Sequence, residues 1–157
     1  MTHRLIAALS LGLSFAIMAS GVQAADGQAV YTANCAACHQ PDGAGAAGLA
    51  PPLAGTLGGR LAFPQGRRYI AGVLMSGMAG KIESKGVVYN GMMPTWAALA
   101  DDELAAVANY VVETFNKAET PADHKAFGAD DFASIRNAKP AGKELKTWRV
   151  ETEGGKK

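Results

Sequence analysis

The sequence predicts an all-α domain of three to four short helices joined by long irregular loops. Two observations support this fold class. Residues 101–115 repeat apolar side chains with the period of a helix that has one buried face. In residues 40–59, nine of twenty positions are glycine or proline, which no regular element tolerates. A loop this long in a compact domain needs a reason, and wrapping a bound group is one.

The N-terminal residues 1–24 read as a secretory signal peptide. A short segment containing Arg4 precedes fifteen uncharged residues at 5–19, and Val22 and Ala24 place small side chains at −3 and −1 of a cut near Ala24. Fifteen residues fall short of the roughly 20 that cross a bilayer, so a retained anchor is the weaker interpretation. No cysteine follows the apolar run, which excludes a bacterial lipid anchor.

The chain after the signal peptide is formally neutral. Residues 25–157 contain 14 Lys and Arg and 14 Asp and Glu, which argues against general nucleic-acid binding. No second long apolar segment exists, so a polytopic membrane protein is excluded and no membrane insertion is expected after cleavage. The only two cysteines lie three positions apart in the sequence, so the chain is not an exported fold held together by disulfide bonds.

Four segments contribute the predicted elements of the domain, residues 25–118. We expect a helix over 26–34 that leads into the cysteines, and a second over 65–76. Residues 77–94 are predicted as loop, with a brief extended piece at 87–89. The strongest helix prediction is 101–115, where acidic side chains in the first turn are favoured by the helix dipole. Its apolar stripe comprises Leu104, Val107, Ala108, Val111, Val112 and Phe115.

Residues 119–157 are predicted to be a charged C-terminal extension. They contain eight Lys and Arg and seven Asp and Glu. One short helix at 129–137 is expected, with a loose chain after Gly142. The preceding domain has few large apolar side chains, and a chain of its size buries only about 65% of its surface on folding. A large apolar prosthetic group would supply the missing core.

Cys35, Cys38 and His39 form a C-x-x-C-H motif, which attaches c-type haem. The two thiols add across the haem vinyl groups, and the imidazole that follows the second thiol lies under the iron. The weaker alternatives are an exported redox disulfide beside an incidental histidine, and a zinc site, which would need more cysteine or histidine than the chain contains.

Further motifs occur in the order in which they occur in class I c-type cytochromes. With them, the chain resembles a bacterial, monohaem member of that family. Gly27 and Tyr31 precede the cysteines as in the first helix of that family, and residues 89–94 resemble the loop of its sixth iron ligand. Gly43, Gly45 and residues 51–55 resemble the loop after the haem histidine. The resemblance extends from residue 26 to about 117, more weakly to 137. It implies the class I cytochrome c fold around one haem c, bound covalently through Cys35 and Cys38.

The resemblance also implies the axial iron ligands. His39 would bind through Nε2 while its Nδ1–H donates to a proline carbonyl, and Pro51 matches in separation. Met93 matches the sixth ligand, because it precedes Pro94 and lies at the family's distance from the last helix; Met92 is the alternative. Met75 and Met78 are predicted to be packing residues, and His124 is predicted to be solvated rather than an iron ligand.

Other cofactor contacts are predicted less directly. Leu53 and Trp96 are candidate haem contacts, as are Val107 and Val111, although ordinary core packing explains each of them equally well. Arg60 lies near the family's propionate-binding position, with one residue inserted before it. Tyr89 and Asn90 are candidates to bind a propionate or to support the region of Met93. Ala100 departs from the family, which commonly has a serine N-cap there. Either Asp101 caps the last helix or about 1 kcal/mol of helix stability is absent.

These features predict a one-electron carrier cytochrome in the bacterial periplasm that is not an enzyme. It would relay electrons between redox proteins such as a dehydrogenase, a cytochrome complex or a terminal oxidase, as a monomer or as a subunit of a redox complex. The alternative is a haem enzyme or a gas or peroxide sensor with a labile sixth ligand. Residues 60–85 and 136–149 each contain five positive side chains and one negative. These clusters either steer acidic partners or form solvated faces.

Overall fold

The computed structural model describes residues 24–153 of the chain. These residues form six α-helices and one β-hairpin, joined by loops. The helices are α1 (Gly27–Asn34), α2 (Ala36–His39), α3 (Pro64–Ser76), α4 (Asp101–Phe115), α5 (Ala129–Ala138) and α6 (Gly142–Glu151). The hairpin consists of β1 (Met78–Ser84) and β2 (Val87–Met93), and a 3₁₀ turn spans Gly58–Ala62. The signal-peptide prediction lies, apart from Ala24, outside the described residues. Within them, no helix combines the length and apolarity needed to cross a bilayer.

α1 and α4 cross at close range next to the cysteine motif. Asp26 caps α1 by accepting hydrogen bonds from the amides of Gln28 and Ala29. At the crossing, a Cβ on Gly27 would overlap the backbone carbonyl of Ala106 on α4. Glycine is therefore required for the two backbones to approach.

The buried stripe of α4 is confirmed, and its N-terminus differs from expectation. Ala100 is the N-cap, and its amide donates to Glu103 at 2.9 Å. Asp101 does not cap; its carboxylate accepts from Arg136 of α5 at 2.7 Å. Asp101 thus connects two helices instead of completing its own.

The predicted loop at 77–94 is largely a hairpin. β1 and β2 pair antiparallel over seven residues, from Met78 opposite Met93 to Ser84 opposite Val87. Lys85 and Gly86 form the turn with φ of +50° and +77°. A two-residue hairpin turn of this kind needs positive φ at both positions, so its usual sequence signal is Asn-Gly or Asp-Gly. Lysine at the first position lacks that signal, and the hairpin is therefore not evident from the sequence.

The prediction that the chain is loose after Gly142 is wrong for the described residues. α6 packs against α3, and Leu145 is fully buried in a core that also contains Tyr69 and Ile70. Phe132 of α5, the helix predicted at 129–137, is buried in the same core. Two apolar side chains per helix give little periodic signal, so the docking of α6 depends on tertiary contacts.

Candidate functional site

A cavity lies between α1, α3, α4 and the hairpin, and the cysteine motif lines it. Both cysteines are free thiols, Cys35 buried and Cys38 exposed. Aliphatic, aromatic and proline side chains predominate in the rest of the lining. Free thiols at an apolar cavity are what covalent attachment of a flat apolar ring requires, so the residues present fit haem c.

The loop that follows His39 fixes the orientation of its imidazole. Its side chain is buried, and Nδ1 lies 3.0 Å from the carbonyl oxygen of Pro51. With Nδ1–H donating to that oxygen, Nε2 keeps its lone pair for a metal. Burial lowers the pKa of His39, and the bond to Pro51 opposes this shift in part. A lowered pKa keeps the imidazole neutral, as a ligand must be.

The environment of the cysteines does not favour a redox disulfide. Burial, with a smaller contribution from Cys38, raises the pKa of Cys35 to about 11. Redox-active cysteine pairs instead have a thiol with a depressed pKa. The buried thiol is thus suited to a stable covalent bond and poorly suited to exchange.

Three methionines of the hairpin line the cavity. Met93 is partly buried, whereas Met92 has 79% of its surface exposed. Met78 pairs with Met93 across the hairpin and also lines the cavity, in addition to packing against the core. Met75 is buried in the core among α3, α4 and α6. The hairpin therefore brings Met93 to the same cavity as His39.

Most of the other candidate contacts lie at the cavity, and two do not. The lining includes Pro51, Leu53, Tyr89, Trp96, Val107 and Val111. Asn90 is exposed and outside the lining. Arg60 is buried but also outside it, because its guanidinium donates to the carbonyl of Arg149 at 2.6 Å and to the hydroxyl of Thr152 at 2.9 Å. The cofactor contacts of Asn90 and Arg60 therefore stay predictions, which the lining of this cavity does not support.

Sequence reasoning missed a polar end of the cavity. Thr56, Tyr69, Ser84 and Arg149 all line it. Arg149 lies on α6, 110 residues after His39 in a segment with no motif, so no local signal identified it. Arg149 reaches the cavity because α6 packs against α3.

His124 is half-buried, which corrects the expectation that it is solvated. Its Nε2 is buried without a hydrogen-bond partner among residues 24–153, and its ring lies 5.8 Å from that of Phe127. Burial, followed by the charge of Arg67, lowers its pKa. It does not line the cavity.

Several of the clustered cations serve the fold. Arg67 makes a two-pronged ion pair with Asp131 at 2.6 and 2.7 Å, and Arg136 pairs with Asp101. Arg60 and Arg149 are buried. The cations that remain exposed in the two clusters are Arg68, Lys81, Lys85, Lys139, Lys143 and Lys146.

Comparison with known proteins agrees with this geometry. The model of the family described as Cytochrome c matches residues 24–115. Two curated relatives are both named cytochrome c-552, and both come from Thermus thermophilus, one of them from a specified strain of that organism. Each is 43% identical over 115 residues, which is 73% of this chain and 87% and 77% of the respective relatives. The predicted all-α class I fold and the haem c cofactor are thereby confirmed, and the chain belongs to the cytochrome c family of covalent haem proteins that carry electrons.

Proposed function

We propose that the protein carries single electrons between redox proteins in the bacterial periplasm, with its haem iron held by His39 and Met93. The observation that carries this proposal is one cavity lined by both thiols, by a histidine whose Nδ1 is bound to Pro51, and by Met93. Haem c supplies the redox-active iron. Two axial protein ligands leave no coordination position for a substrate, which suits electron transfer.

Each axial residue has a distinct task. The Pro51 carbonyl holds the ring plane of His39 and the tautomer with a free Nε2. A thioether is a neutral, soft donor, and His/Met ligation raises the reduction potential of a c-type haem. The apolar lining around Met93 excludes water and disfavours the additional charge of ferric haem.

Partner access is expected where the cavity reaches the surface. Leu49 and Met92 line the cavity and are 59% and 79% exposed, and Cys38 is exposed beside them. Exposed lysines on the hairpin, Lys81 and Lys85, are available to attract an acidic partner. We infer a dehydrogenase, cytochrome complex or terminal oxidase as the partner class.

Two variants test the ligand set. Met93→Ala is expected to keep the haem attached, to lower the reduction potential, and to let the reduced protein bind carbon monoxide rapidly. Met92→Ala, which alters the exposed neighbour, is the matched control and should change none of these. Visible spectra and a redox titration are the measurements. The opposite pattern would assign the ligand to Met92, and rapid carbon monoxide binding by the unaltered protein at neutral pH would favour a gas-binding protein instead.

The periplasmic location is tested separately. Mass spectrometry of the haem protein released from the periplasm of its host should find Ala25 as the first residue. Haem protein found in the membrane fraction with residues 1–24 retained would show that the leader is an anchor.

A further inference from the structure

We propose that Arg149 of the C-terminal helix α6 is a haem-positioning residue, whose guanidinium binds a haem propionate. The inference rests on the proposed function in one respect, that the cavity holds the haem of an electron carrier. It is independent of which methionine binds the iron. It assigns a cofactor contact to a segment beyond the residues 24–115 that the family model matches.

Arg149 is the one side chain with a formal charge among the residues found to line the cavity within residues 24–153. The polar lining residues Thr56, Tyr69 and Ser84 accompany it. Elsewhere the lining is predominantly apolar, so the two carboxylates of a haem would find their counter-charge and hydrogen-bond partners at this end.

The guanidinium is buried and preorganised. It is part of a residue with 9% exposure, donates to the hydroxyl of Tyr69 at 2.9 Å, and donates to the carbonyl of Glu83. These two bonds use two of its five N–H groups. Arg60 holds the backbone from which it projects, by donating to the Arg149 carbonyl and to Thr152.

The local balance of buried charge calls for an anion. Within residues 24–153 the buried charged side chains are Arg60 and Arg149, with no buried Asp or Glu. Both guanidiniums lie over the ring of Tyr69, at 5.2 and 6.0 Å from its centroid. Their acidic neighbour Glu153 contacts them at 3.6 and 3.4 Å but is 48% exposed. A second cleft adjoins the cavity and is lined by Arg60 and Arg149. Its other charged side chains, Glu83, Lys85 and Glu119, are exposed. Two buried cations beside one half-exposed carboxylate leave an excess of buried positive charge, which the negative charge of a propionate would balance.

This arrangement predicts a functional effect of α6. A fixed positive charge next to the haem favours the reduced state, which has one less positive charge at the iron. Removing the charge should therefore shift the equilibrium toward the oxidised haem. For a charge a few ångströms beyond the ring edge in a partly buried site, the equilibrium constant should change by about tenfold.

The test compares four variants of the intact haem protein. Arg149→Met removes the charge and keeps much of the volume, and Arg149→Lys keeps the charge without the planar fork. Arg68→Met is the matched control, because Arg68 is exposed, lies 5.5 Å from the Trp148 ring of α6, and does not line the cavity. Trp148→Leu loosens the packing of α6 and leaves Arg149 present. The reduction equilibrium against a mediator dye is measured for each, with limited proteolysis reporting the docking of α6.

We expect Arg149→Met to shift the equilibrium about tenfold toward the oxidised protein, Arg149→Lys by less than about threefold, and Arg68→Met not at all. An unchanged equilibrium in Arg149→Met would overturn the proposal. It would equally be overturned if Arg149→Lys shifted the equilibrium as far as Arg149→Met, or if Trp148→Leu reproduced the shift while proteolysis showed α6 still docked, since packing and not charge would then be responsible. A wrong proposed function would give a different result, because the unaltered protein would then bind carbon monoxide rapidly.

Discussion

Asn116, the C-cap residue that follows α4, offers the sharpest test of how the cavity wall is held. Its side chain is fully buried and makes four hydrogen bonds. Oδ1 accepts from the amides of Thr56, Leu57 and Gly58 at 3.0, 2.9 and 3.2 Å, and Nδ2 donates to the carbonyl of Val111 at 3.0 Å. Three of these partner residues, Thr56, Leu57 and Val111, line the cavity, so one side-chain amide connects the end of α4 to the loop in the cavity wall.

Asn116→Ala removes every one of these bonds. The amide of Thr56 keeps the Leu53 carbonyl as an acceptor at 3.3 Å, whereas the amides of Leu57 and Gly58 lose the acceptor that the structure gives them. A net value of about 1 kcal/mol per bond gives a loss near 4 kcal/mol. Because three donors share one oxygen and water can reach some of them, we expect about 3 kcal/mol. That is a large part of the roughly 5–15 kcal/mol that stabilises a domain, but the variant should still fold.

The assay is urea unfolding of the oxidised haem protein, followed in parallel by far-ultraviolet circular dichroism and by visible absorbance. Coincident transitions are needed before a free energy of unfolding is extracted. Asn137→Ala, at an exposed position of α5, is the control and should stay within about 0.5 kcal/mol of the unaltered protein. A loss below about 1 kcal/mol in Asn116→Ala would refute the reasoning, since the bonds would then contribute little.

Two further predictions concern helix contacts. Gly27→Ala should destabilise the protein by about 1–3 kcal/mol in the same assay, because the new Cβ overlaps the Ala106 carbonyl, whereas Gly142→Ala, with open space around it, should not. Asp131→Asn should cost about 1 kcal/mol at neutral pH by breaking the pair with Arg67. Arg67 lowers the pKa of Asp131, so this stabilisation is present above the unfolded carboxyl value of about 3.9 and is lost as the pH falls through the folded value. Unfolding measured against pH should therefore show the difference between the variant and the unaltered protein shrinking as the pH falls below the unfolded carboxyl value, and a constant difference would contradict this. Asp130→Asn, exposed on the same turn, is the control.

Several parts of the fold followed from local patterns. α4 was predictable because its apolar stripe recurs with the helical period, and the cofactor was predictable because C-x-x-C-H is a contiguous chemical requirement. The hairpin was missed at 77–94, since its turn depends on Lys85 adopting a positive φ that lysine rarely takes. α6 was missed because its few buried side chains become significant only against α3.

The sequence by itself determined the chemistry that is local along the chain: two thiols and an imidazole in one short segment, a glycine- and proline-rich loop, and one strongly amphipathic helix. The tertiary structure alone decided which distant groups meet that segment. It joined Asn116 to the loop at 56–58, turned Arg60 toward α6, and brought Arg149 to the cavity. The physical reason is that such pairings are made by the packing of helices far apart in sequence, and the spacing of residues along the chain does not encode them.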